Sequence, residues 1–102
     1  MLDDTTLFAF TLRGQLSSDT LAQLREPLEL EITAGKPGHE LAEAAIGDYA
    51  DLYVTEVERH VCWRIEALAA PTAPVDREAV AAVRQQLVEL LPDLGVSWEE
   101  DK

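Results

Sequence analysis

The sequence predicts an α+β two-layer sandwich: a mixed, mostly antiparallel sheet of four to five strands with two or three helices on one face, ferredoxin-like or related. Period-two alternation of apolar residues recurs in short separate runs. Two other segments carry helix-start signals ahead of apolar positions at helical spacing. Between residues 51 and 68 the apolar positions change parity, which a hairpin explains and a single strand or helix does not. At 102 residues the chain is one domain long, able to bury roughly two-thirds of its unfolded surface without staples.

In TLFAFTLR (6–13), Phe8, Phe10 and Leu12 share one face and Leu7, Ala9 and Thr11 the other. A strand apolar on nearly both sides suits the centre of a sheet. Gly14 breaks the run, and LSSDTLAQLREP opens a helix with Ser17 as N-cap, Leu16 and Leu21 as a hydrophobic staple and Asp19 in the first turn. Pro27 is expected to stop that helix early. LELEIT (28–33) then alternates strictly, with Leu28, Leu30 and Ile32 inward and Glu29, Glu31 and Thr33 outward. AGKPG (34–38) reads as a turn. HELAEAAIGDYA (39–50) places Leu41, Ala44, Ala45 and Tyr49 at helical spacing, while HELAEAAI also fits an extended segment.

DLYVTEVERHVCWRIEAL (51–68) resolves as a hairpin turning at Glu58 and Arg59. The implied register sets Leu52 against Ile65, Val54 against Trp63 and Glu56 against Val61. Tyr53, Thr55, Val57, His60, Cys62, Arg64 and Glu66 then share the other face, with Tyr53 opposite Arg64 and Thr55 opposite Cys62. Glu-Arg is poor chemistry for a primed two-residue turn, so a longer loop or a bulge is an alternative. VDREAVAAVRQQLVELLP gives the clearest helix, with Asp76 as N-cap, Val75 and Val80 as the staple, and Val80, Val83, Leu87, Leu90 and Leu91 along one face. Pro92 ends it. LGVSW (94–98) is a candidate final strand, and residues 99–102 are expected to form a frayed tail on a single acidic domain spanning 1–102.

Few residues here suggest chemistry. HVCWR (60–64) gathers a histidine, the lone cysteine, a tryptophan and an arginine, but the pleat sends Trp63 to the core and His60, Cys62 and Arg64 outward. His60 and Cys62 would sit roughly 7 Å apart at Cα, without the third group that orients a nucleophile pair. They supply only two metal ligands, with His39 remote in sequence. Glycine-rich phosphate loops, nucleophile elbows, zinc-protease motifs and EF-hand spacing are all absent. No catalytic residue, metal site or cofactor is expected, and the chain is read as a non-enzyme.

Charge is the dominant signal. Net charge is −12, which opposes direct binding to nucleic acid or anionic membrane, and no apolar run approaches a membrane span. Residues 26–58 hold nine acids against Lys36 alone, so this span carries −8 of the −12. The acidic N-terminus does not resemble a targeting segment, and one cysteine fits a reducing compartment, so a cytoplasmic location is expected. Six arginines against two lysines and the lack of asparagine suggest a GC-rich, bacterial or phage genome.

The favoured function is a small non-catalytic module whose acidic face engages a basic partner protein, as an inhibitor or immunity protein, a nucleic-acid-mimic decoy or a secretion chaperone would. The partner-binding candidates are Glu29, Glu31, Glu40, Glu43, Asp48, Asp51, Glu56 and Glu58. One alternative is a ferredoxin-like ligand-binding or enzymatic domain with a pocket near Tyr53, His60, Cys62 and Arg64, dimeric through its sheet. Another is a structural subunit of a larger assembly, with the second apolar face of TLFAFTLR as interface.

Overall fold

The computed structural model describes residues 4–33 and 40–101, the side chain of Glu40 excepted. In chain order the elements are β1 (Thr6–Arg13), α1 (Ser18–Leu28), β2 (Glu31–Ile32), β3 (Glu40–Ile46), β4 (Ala50–Glu58), β5 (Cys62–Ala69), α2 (Arg77–Leu90), a 3-10 turn (Leu91–Leu94) and β6 (Ser97–Glu100). The strands form one sheet in the order β2, β3, β4, β5, β1, β6, with every neighbouring pair antiparallel.

The α+β class and the two helices agree with expectation, but the sheet does not. Among the described residues it has six strands rather than four or five, and no parallel pair. Four strands lie between the helices where the ferredoxin-like β-α-β-β-α-β order has two.

Topology explains why the helices share a face. In this strand order β1 and β2 run in the same direction, and β5 and β6 both run in the opposite one. The crossover through α1 moves toward the β2 edge and the crossover through α2 toward the β6 edge. A half-turn in the sheet plane superposes the two, so the right-handed preference of crossovers sends both helices to the same side. They meet there, where Gln86 Nε2 of α2 donates to the Pro27 carbonyl of α1 at 2.6 Å.

The core fills the space between. Phe10 and Leu12 of β1, Leu52 and Val54 of β4, and Ile65 of β5 pack with Leu24 of α1 and Leu87 of α2. Phe10 has no solvent exposure, and its ring meets Phe8 and Trp98 edge-on at centroid distances of 5.8 and 6.0 Å. Trp63 is a core residue as expected, but it lies opposite Leu12 and Glu56 rather than Val54. Its indole N–H is buried without a partner among the described residues.

Helix α1 starts at Ser17 as predicted, with the Ser17 N–H donating to Thr20 Oγ1 at 3.3 Å. Pro27 lies inside the helix, in its last turn, and the helix runs one residue further, to Leu28. What stops it is a left-handed residue, Glu29 (φ 54, ψ 43). The Leu30 N–H reaches the Arg25 carbonyl at 2.9 Å and the Glu29 N–H the Glu26 carbonyl at 3.3 Å, the two bonds of a Schellman motif. Leu28 therefore belongs to the helix, β2 shrinks to two residues, and Ile32 keeps the helix-side face opposite Ala42 but is 42% exposed at the sheet edge. Glycine is the residue a left-handed site prefers, so Glu29→Gly is expected to raise stability by about 0.5–1 kcal/mol. Urea denaturation would check this.

Residues 40–46 take the extended alternative, with Ala42, Ala44 and Ile46 toward the helices. The expected turn at 34–38 and His39 lie outside the described residues. The hairpin forms where parity placed it, but its loop is Arg59–Val61, closed by the Val61 N–H donating to the Glu58 carbonyl at 3.0 Å. His60 sits at φ 62, and the register shifts across Val57. Leu52 therefore pairs with Ala67, Val54 with Ile65 and Glu56 with Trp63. This displaces the expected register by two residues, so the side chains of 52–56 and 63–67 keep their faces but gain different opposite numbers, while His60 leaves the ladder for the turn.

At the C-terminal end, Asp76 caps α2 as predicted, accepting from the Glu78 and Ala79 N–H groups at 3.0 and 3.1 Å. Pro92 falls in the 3-10 turn, and the final strand covers 97–100 rather than 94–98. Glu99 and Glu100 are thus ladder residues where a loose end was expected. Arg84 of α2 grips the Glu100 carboxylate with two guanidinium nitrogens, Nε at 2.6 Å, and the bond and charge of Glu100 hold the guanidinium pKa above its ordinary value.

Candidate functional site: the open face of the sheet

Both helices lie on one side, so among the described residues the other side of the sheet has no helix over it. Pleat and register assign its residues. One row across the strands reads Glu31, Glu43, Tyr53, Glu66 and Ala9, and the Asp101 N–H continues it by donating to the Ala9 carbonyl at 2.8 Å. The next row reads Glu40, Thr55, Arg64, Thr11 and Glu99. At about 4.8 Å between strands the face is roughly 24 Å wide.

Its two halves differ electrostatically. On β5 and β1 an ion-pair network forms: Arg64 Nε donates to Glu66 and Nη1 to Asp101, both at 3.0 Å, and the Thr11 hydroxyl also donates to Asp101 at 3.0 Å. The carboxylates of Glu66 and Asp101 are only 21% and 22% exposed. This network covers the second face of β1, where Ala9 is fully buried, so that face is not the bare apolar surface an assembly subunit would offer. On β2, β3 and β4, Glu31, Glu43 and Asp51 have no ion-pair partner among the described residues. Glu31 and Glu43 stand directly opposite each other, a like-charge cross-strand pair that costs stability.

The predicted partner-binding residues therefore separate. Glu31, Glu43 and Asp51 come together on the open face, and Glu40 occupies a register position on it. Glu58 is at its end, opposite Cys62, and Asp48 lies in the β3–β4 turn. Glu29 is the helix-ending residue, and Glu56 has the helix-side parity of Trp63 and lies off the face. Glu66, Glu99 and Asp101 were missed because they lie outside the acidic span. The Ser97, Glu99, Asp101 alternation around Trp98 was the signal available for β6.

The four residues of the alternative pocket are placed differently from one another. Tyr53 faces Glu66 rather than Arg64, Cys62 is 2% exposed, and His60 is in the hairpin turn, where the Arg59 Nε donates to its Nε2 at 3.3 Å. Among the described residues no group of three or more His, Cys, Asp or Glu could hold a metal ion, and no helix is long and apolar enough to cross a membrane. Comparison with protein-family models, curated proteins and solved structures finds no match.

Arg64 is the cation shared by the Glu66 and Asp101 carboxylates. Arg64→Leu leaves two largely covered carboxylates without their counter-charge, and the expected cost is about 1–2 kcal/mol, discounted for partial exposure. The loss should shrink in high salt, which screens the stranded carboxylates. Urea denaturation at two ionic strengths measures both.

Proposed function

We propose that the chain is a small non-catalytic protein-binding module whose acidic open face engages a basic partner protein, in the manner of an inhibitor or immunity protein, a nucleic-acid-mimic decoy or a secretion chaperone. One observation carries the reading: Glu31 and Glu43 face each other across an uncovered sheet surface, next to Asp51, without a cation among the described residues. Such a surface is stabilised when a partner brings positive charge to it, and the complementary fields speed encounter. A cytoplasmic location is part of the proposal, supported by a single, free and buried thiol.

The test is capture of basic proteins from lysate on immobilised chain at low and at high salt. Retention at low salt that is lost at high salt, with the captured protein then binding the chain when both are purified, is the expected result. If no basic protein is retained at low salt, the proposal fails.

A further inference from the structure

We infer that β6 is a latch: an edge strand clasped by one arginine on each face of the sheet, which opens as a unit while the other strands stay folded and so decides whether the outer edge of β1 is bare. The strand is four residues long and among the described residues pairs with β1 alone. A short ladder to a single neighbour puts such a segment among the first to open locally. Charge at two consecutive residues closes it. Glu100 points to the helix side, where Arg84 of α2 grips its carboxylate with two nitrogens. Asp101 points to the open side, where Arg64 Nη1 of β5 and the Thr11 hydroxyl of β1 each donate to it at 3.0 Å.

Both clasps are open to screening. The four charged side chains are 22–43% exposed, so dissolved salt weakens their hold. Arg64 also divides its guanidinium between Asp101 and Glu66. Ahead of the strand, Gly95 is left-handed (φ 71) and a Cβ added there would meet nothing within 4 Å, which leaves the backbone free to swing at that residue. Opening lifts the Trp98 ring from Phe10, 6.0 Å away, and uncovers the backbone edge of Phe10–Arg13. A bare strand edge beside apolar side chains is a template for an added strand. Ionic conditions thereby set how often β1 offers that edge.

Amide hydrogen exchange of the intact native protein, followed by NMR, tests the latch. The Asp101 N–H, which donates to the Ala9 carbonyl, reports on its closure. It should be at least about tenfold less protected than the slowest amides of β5, with little dependence on sub-denaturing urea. Raising ionic strength from about 0.05 to about 1 M should lower its protection about threefold relative to β5. The variant Glu100→Gln, Asp101→Asn should lower it about fivefold or more relative to β5 and abolish the salt response. Arg84→Gln, which leaves the strand's own sequence intact, should give about twofold and serves if the double variant folds poorly. Glu99→Gln, on the same strand but without an ion pair among the described residues, should stay within about twofold of the native protein and keep the salt response. Equal protection of Asp101 and β5 in the native protein and in these variants means that the strand opens only with the whole fold, and overturns the latch. Low protection at Asp101 that ignores salt and the loss of both ion pairs is plain fraying, and overturns it as well.

Discussion

Phe10→Ala is expected to destabilise the protein by about 3–5 kcal/mol, the largest effect of any single truncation proposed here. Phe10 is fully buried, pairs with Ile65 on β5 and Glu100 on β6, and packs edge-on against Phe8 and Trp98. Truncation removes the ring's own transfer energy, both aromatic contacts and the support beneath β6, and the rigid sheet on either side cannot collapse into the void. Domains of this size have roughly 5–15 kcal/mol in total, so the melting temperature should fall by about 15–30 °C. Val57→Ala, at a residue 62% exposed, should change stability by less than about 0.5 kcal/mol. A Phe10→Ala loss below about 1 kcal/mol by urea denaturation would contradict the packing described.

Reversing charge on the open face should move stability and binding in opposite directions. The double variant Glu43→Lys, Asp51→Lys turns the repulsive pair with Glu31 into an attractive one, so folding should become more stable by a few tenths of a kcal/mol, up to about 1. The same change removes the negative field that would draw in a basic partner, and oligo-arginine affinity at low ionic strength should fall about tenfold. Net charge alone does not account for such a loss. The variant Glu26→Lys, Glu89→Lys alters exposed residues on the helices and brings the chain from −12 to the same −8, each reversal adding two. It should bind within about twofold of the native protein at the same ionic strength. A face that is only solubilising would show equal losses in both variants. Gains in stability that coincide with lost binding mark a surface where function is held at the expense of folding energy.

The legible and illegible parts of the fold divide on physical grounds. The parity change after Glu58 placed the hairpin and assigned the faces of Tyr53, Trp63, Arg64 and Glu66, because a side-chain period of two survives a displacement of two. The register itself depends on a left-handed His60 and the irregularity at Val57, and neither residue type announces that conformation. Strand β3 is written in Ala, Glu and Leu, which favour helix in isolation, and its extended form comes from pairing with β4. Pro27 lies one residue short of the helix end, and the left-handed Glu29 with its Schellman bonds, which no residue type announced, sets the actual terminus. Contiguity made the acids of β2 to β4 visible, whereas Glu99 and Asp101 reach the face only through long-range pairing with β1.

The position of β1 bears on how the chain acquires its structure during synthesis. It is the earliest of the described strands to be made, yet both of its neighbours, β5 and β6, come from the second half of the sequence. Translation at about 5–20 residues per second leaves Phe8, Phe10 and Leu12 without their sheet partners for several seconds. Contacts spanning most of the chain also slow the final search. The newborn protein is thus an apolar segment waiting for its own distant end, and a factor that shelters nascent chains would find its binding site in TLFAFTLR.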